Sequence, residues 1–131
     1  MVNVLVVDSD RTFRTLLATR LESDSEIVCH QAADAQLAVD VLDDKDAIDI
    51  VIADLQLAKH NAFTLLQHLQ SYSDWQGIPV ILLSNVTADR INIPSADWQL
   101  YGVNGYLQKS TFDVDDLIAR VKGVRHPAPA A

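Results

Sequence analysis

The sequence predicts an α/β domain: a parallel sheet of five strands with helices on both faces. Two observations lead there. Five short apolar runs alternate with stretches of helical hydrophobic spacing, at about 25 residues per unit. Four of the runs are closed by Asp8, Asp54, Ser84 and Lys109, and in an open α/β sheet the carboxyl ends of the strands line the crevice where ligands bind.

The first run, Val2 to Val7, is apolar except for Asn3 and is followed by Asp8, which reads as a buried strand ending in a carboxylate. Ser9 or Asp10 is placed to cap the next helix. Phe13, Leu16, Leu17 and Leu21 give that helix its inward stripe, with Arg11, Arg14 and Arg20 between them. After a turn at Ser23 to Ser25, residues Glu26 to Ala32 alternate weakly around Ile27, Val28 and Cys29, forming a second strand. Asp34 is the expected N-cap of a helix through Leu42, with Leu37, Ala38, Val41 and Leu42 facing inward. Asp43-Asp44-Lys45-Asp46 reads as a solvated turn. The third strand runs from Ile48 to Asp54. Leaving an ionised Asp54 wholly inside would cost several kcal/mol, so it belongs at the sheet rim or beside a partner.

Beyond the loop Gln56 to Asn61, residues Phe63, Leu65, Leu66 and Leu69 mark a third helix. Tyr72 to Gly77 links it to a fourth buried strand, Ile78 to Ser84, which ends in a hydroxyl. In residues 86–101 Pro94 forbids one uninterrupted helix, and Ser95-Ala96-Asp97 is a start for a second short one. Gly102 to Lys109 is a glycine-flanked fifth strand. Ser110 to Asp113 has the form of a capping box with Asp in the reciprocal place. The last helix carries Val114, Leu117, Ile118 and Val121, with Lys122 and Arg125 near its negative end.

The 131 residues fit one domain, residues 1–123, followed by a Pro/Ala-rich tail or linker at 124–131. A hydrophobic share of 49% separates the chain from disordered sequences. A net charge of −8 argues against binding a nucleic-acid backbone, and it suits a cation-binding pocket or a basic partner. Cys29 is the single cysteine, so no internal disulfide forms, which fits a reducing compartment. With neither a signal peptide nor an apolar run of membrane length, a cytoplasmic location away from membranes is expected.

If the first, third, fourth and fifth strands are neighbours, Asp8, Asp54, Ser84 and Lys109 meet in one pocket. Two carboxylates on adjacent strands repel unless a cation lies between them. Magnesium suits such a place, being a hard ion that takes oxygen ligands and favours phosphate oxygens. A Lys ammonium and a Ser hydroxyl hold further phosphoryl oxygens. The chemistry implied is formation and hydrolysis of an aspartyl phosphate on Asp54.

These residues carry a resemblance. Val6-Val7-Asp8, Ile50 to Asp54, Ile78 to Ser84 and Gly102 to Lys109 resemble the receiver (CheY-like) domains of bacterial two-component response regulators, over residues 1–123. The resemblance implies a flavodoxin-like (βα)5 fold with strand order 2-1-3-4-5. It implies Asp54 as phosphoacceptor, Ser84 as switch hydroxyl, Lys109 as phosphate-pairing lysine and Tyr106 as switch aromatic. It implies a Mg2+ site at Asp8, Asp54 and the backbone carbonyl of Gln56, with Asp10 as an auxiliary candidate. The partners implied are a sensor histidine kinase or phosphotransfer protein, and a downstream protein on the face made by the fourth and fifth strand–helix units. A homodimer is a further option, and direct nucleic-acid binding by this domain is not expected. Self-catalysed phosphorylation and dephosphorylation would be its only catalysis.

Several positions depart from that family's pattern. Ser9 stands where a second acid is usual, and a neutral hydroxyl predicts weaker metal binding. Ala58 replaces a Pro, Ala62 a Gly, Asn85 a small residue, and Ser110 a Pro that follows a cis bond; a trans Lys109–Ser110 bond is expected here. The stretch from Ser84 to Lys109 is longer than usual, so the fourth helix is expected to be remodelled. These departures keep a second reading open, a degenerate receiver acting as an interaction module without phosphorylation. A third reading notes that Asp8-Ser9-Asp10-Arg11-Thr12 looks like the first motif of haloacid-dehalogenase-type phosphatases, with Asp8 as nucleophile and Asp10 as general acid/base. It leaves Asp54 without a role.

Overall fold

The computed structural model describes residues 1–44, 48–55, 62–72, 75–85 and 102–125. Strands β1 (Val2–Val7), β2 (Ile27–Ala32), β3 (Ile50–Asp54), β4 (Val80–Ser84) and β5 (Val103–Gln108) form one parallel sheet in the order β2-β1-β3-β4-β5. The described helices are α1 (Arg11–Leu21), α2 (Ala35–Asp44), α3 (Ala62–Ser71) and α4 (Val114–Arg125). The flavodoxin-like order is therefore observed.

Alternation along each strand sends successive side chains to opposite faces of the sheet. Leu5, Val7, Val51, Ala53, Val80 and Leu82 meet Ala38 and Leu42 of α2 and Leu65, Leu66 and Leu69 of α3. On the other face, Val4, Val6, Ile50, Ile52, Ile81 and Leu83 meet Leu17 and Leu21 of α1 and Leu117 and Val121 of α4. Both faces are covered, which is why the inner strands β1, β3 and β4 read as nearly continuous apolar runs.

Four expectations are corrected, at two helix positions, one cap and one turn. Leu16 and Leu37 face solvent, 57% and 46% exposed. Each helix presents a narrow stripe to the sheet, and the small Ala18 and Ala38 take the close approach instead, at 1% and 0% exposed. The cap of α4 is Asp113 and not Ser110: its Oδ1 accepts from the Asp115 N–H at 2.9 Å, and its carbonyl accepts from Leu117 N–H at 3.0 Å. Residues 110–112 form the preceding turn, in which Thr111 and Phe112 both donate to the Gln108 carbonyl.

The other caps stand as expected. Asp10 Oδ1 accepts from Phe13 N–H at 3.2 Å, and Asp34 Oδ1 from Leu37 N–H at 2.9 Å. Asp43 and Asp44 finish α2 rather than lying in a turn, while Lys45 and Asp46 fall outside the described residues. So do the Gln56 to Asn61 loop, residues 86–101 and the tail from His126. No described peptide bond is cis, so Lys109–Ser110 is trans. Gly102, at φ 77°, makes the left-handed turn into β5 that a side chain would resist. Between β4 and β5 the pairing shifts: Val80 faces Val103, but Ile81 faces Gly105, leaving Asn104 as an extra residue.

Candidate functional site

The sheet order makes β1, β3, β4 and β5 consecutive neighbours, so their carboxyl ends form one edge. Asp8 follows β1 and is 1% exposed. Its N–H donates to the Ala32 carbonyl at 3.0 Å and its own carbonyl accepts from Arg14 Nη1 at 2.7 Å. Its Oδ1 accepts from the Asp10 N–H at 2.8 Å. Asp54 closes β3 and is half-buried. Ser84 closes β4 and is buried. Its carbonyl accepts from the Lys109 N–H at 2.8 Å, which carries the sheet pairing one residue past β5 and brings the lysine to the same edge.

The Lys109 side chain crosses the edge. Its Nζ donates to Asp54 Oδ2 at 2.8 Å and lies 2.7 Å from Asp8 Oδ2. One ammonium thus pairs with carboxylates from two strands. Burial disfavours its charge, but the hydrogen bond to Asp54 and the attraction of the Asp54 and Asp8 carboxylates outweigh burial and hold its pKa above the ordinary lysine value. The Phe13 ring of α1 lies against the ammonium as well, 4.4 Å from Nζ to ring centroid.

Asp8 Oδ2 is the one buried side-chain oxygen among the described residues that accepts no hydrogen bond; the nearby ammonium offers charge at the wrong angle. A buried carboxylate oxygen with spare capacity, beside a second carboxylate, is a donor set that fits a hard divalent cation. Among the described residues no three carboxylates, imidazoles or thiols gather around one point, so the described acidic donors at this edge are Asp8 and Asp54.

The expected site residues therefore divide. Asp8, Asp54, Ser84 and Lys109 share the strand-end edge. Tyr106 pairs with Leu82 across β4 and β5 and packs partly buried against the α2–α3 side of the core. The Asp10 carboxylate caps α1, and Ser9 is exposed. Gln56 lies outside the described residues. Sequence reasoning assigned Phe13 only to the core, because an apolar residue at helical spacing gives no sign that its ring meets a charge.

Known proteins resemble this chain in sequence and in fold. The family model for the response regulator receiver domain matches residues 4–122. The heme response regulator HssR of Staphylococcus epidermidis is 32% identical over 124 residues, covering 95% of this chain and 51% of that protein. The DNA-binding dual master transcriptional regulator RpaA of Synechocystis is 29% identical over 129 residues, covering 95% and 49%. The chain spans about half the length of these curated relatives. Among solved structures, the Francisella response regulator 1452 receiver domain superposes with a TM-score of 0.79 at 24% identity, covering 96% of this chain and 98% of that one. The chemotaxis response regulator CheY4 of Vibrio cholerae gives 0.77 at 21% identity, covering 95% and 98%. At these identities the structures show the fold.

Proposed function

The chain belongs to the response regulator receiver domain family of two-component signalling, and we propose that it takes up a phosphoryl group on Asp54. Neither the phosphorylation-independent module nor the Asp8-centred phosphatase is favoured by the family match. The observation that carries the proposal is the Lys109 ammonium bridging Asp54 and Asp8 at the ends of β3 and β1.

In the transfer, a carboxylate oxygen of Asp54 attacks phosphorus and the donor group leaves with the electrons of its bond to phosphorus. The donor is a phosphohistidine of a sensor kinase or phosphotransfer protein, or a small acyl phosphate. Hydrolysis by water later returns inorganic phosphate and the free carboxylate. Lys109 neutralises charge on the transferring oxygens, and it sits where Asp54 would present them. The Ser84 hydroxyl, on the neighbouring strand end, is the second donor. Asp8 and Asp54 would hold magnesium, with the Gln56 backbone carbonyl and Asp10 as the further ligands that the family resemblance implies. The ion supplies charge neutralisation for the phosphoryl oxygens.

Tyr106, beside the core on β5, is proposed to change position with the phosphorylation state, altering the face made by the fourth and fifth strand–helix units for a downstream protein or a second copy of the chain. No described helix is long and apolar enough to cross a membrane, and we place the protein in the cytoplasm. The test is incubation with acetyl phosphate and magnesium, read by intact mass. The expected result is gain of one phosphoryl group by the wild type and none by Asp54→Asn. No gain by the wild type would overturn the proposal in favour of an interaction module that works without phosphate.

A further inference from the structure

We infer that Phe13 is a positioning residue: its ring face fixes the Lys109 ammonium beside Asp54, an inference that deepens the acceptor reading above and takes its kinetic consequence from it. The Phe13 ring centroid is 4.4 Å from Nζ, well within the range where a ring face attracts a cation. The Lys109 side chain is only 9% exposed, so water competes weakly for the ammonium and the attraction is stronger than at an open surface.

A lysine reaches its partners through a flexible four-carbon stem. Asp54 and Asp8 both attract Nζ, at 2.8 and 2.7 Å, and only Asp54 receives a well-aligned hydrogen bond. The ring closes a third side of the ammonium and limits its travel between the two carboxylates. The ring is itself held from two directions. Phe112, in the turn that follows Lys109, meets it edge to face, with centroids 6.4 Å apart and planes at 68°. From the other side a short relay of backbone donors ties it to the site: Asp8 Oδ1 accepts from Asp10 N–H, and Asp10 Oδ1 accepts from Phe13 N–H. The carboxylate and the ring that flank the ammonium are thus set by one loop.

A purely structural Phe13 would need only an apolar side chain of similar volume. A positioning Phe13 needs the negative face of its ring. The experiment places phenylalanines with one, two and three ring fluorines at position 13, which drains that face with little change of shape, and adds Phe13→Leu and Phe13→Trp. Phosphoryl uptake from acetyl phosphate is expected to slow stepwise with fluorination and by about tenfold in Phe13→Leu, and to recover in Phe13→Trp. In NMR of the magnesium-free protein, the Lys109 side-chain methylene protons next to Nζ are expected upfield from the ring current in the wild type and at ordinary positions in Phe13→Leu. Ammonium proton exchange is expected to speed up across the fluorinated series. Uptake and exchange that are flat across that series would overturn the inference, even with a defect in Phe13→Leu, because the ring would then act by volume alone. If the wild type takes up no phosphoryl group, the acceptor reading falls by itself, and the lysine signals still decide whether Phe13 holds Lys109.

Discussion

Lys109 Nζ stands 2.8 Å from Asp54 Oδ2, although 55 residues of chain separate the two. With Asp8 at 2.7 Å on its other side, the ammonium is the cation that makes two neighbouring carboxylates tolerable.

Removing it leaves like charges facing each other in a largely buried place. Lys109→Ala is expected to lower unfolding free energy by about 3 kcal/mol. Magnesium is expected to restore more stability to the variant than it adds to the wild type, since it binds the folded carboxylate pair and not the unfolded chain. Urea unfolding with and without magnesium measures both. Equal magnesium effects in the two proteins would refute a shared cation site.

The raised Lys109 pKa predicts an alkaline loss of stability. A group whose folded pKa lies above its unfolded value stabilises fully below the unfolded value and loses that contribution as pH rises through the folded one. The loss therefore starts near 10.5, the ordinary lysine value, and continues upward. Cys29, pushed up to about 12 by burial and then by the nearby Glu22 carboxylate, titrates in an overlapping window with the same sign. Urea unfolding from pH 9 upward on a Cys29→Ala background isolates the lysine; a slope unchanged by Lys109→Gln would contradict the pairing.

Ser9 removes one negative charge from the strand-end edge. Ser9→Asp is expected to tighten magnesium about tenfold through added charge and a further oxygen ligand. Calorimetric titration reads the affinity directly. An unchanged value would mean that position 9, exposed in the β1–α1 loop, does not face the cation.

Two caps are open to direct test. Asp10→Ala is expected to cost about 1 kcal/mol, as loss of an N-cap does, and Asp113→Ala a similar amount. Ser9→Ala and Ser110→Ala are expected to be near neutral. Thermal unfolding of the four variants checks the assignment, and a larger effect at Ser110 than at Asp113 would restore the capping box read from the sequence.

The strands were legible because burial on both faces demands unbroken apolar runs, and a single polar residue such as Asp8, Asp54 or Ser84 then marks the edge. Strand order was supplied by family resemblance, since periodicity says nothing about which strands adjoin. Leu16 and Leu37 misled because helical spacing defines a stripe but not how much of it the sheet covers. At the start of α4, Ser110 and Asp113 both satisfy cap preferences, and only the turn closed on Gln108 selects the later one. The meeting of Phe13 with Lys109 joins the first turn of α1 to the end of β5, a pairing that local sequence does not encode.

The unpaired Asn104 sets the parity of the last strand. Val103 and Tyr106 are three apart, yet both lie on the side of α2 and α3; uninterrupted alternation would have sent Tyr106 to the opposite side. Straightening the bulge with Asn104 retained would invert every later side chain of β5, pressing Tyr106 towards α1 and α4 and turning Leu107 away from them, whereas deleting Asn104 would leave Tyr106 opposite Leu82. The side of the sheet that Tyr106 takes thus rests on one residue being bulged out at the start of its own strand.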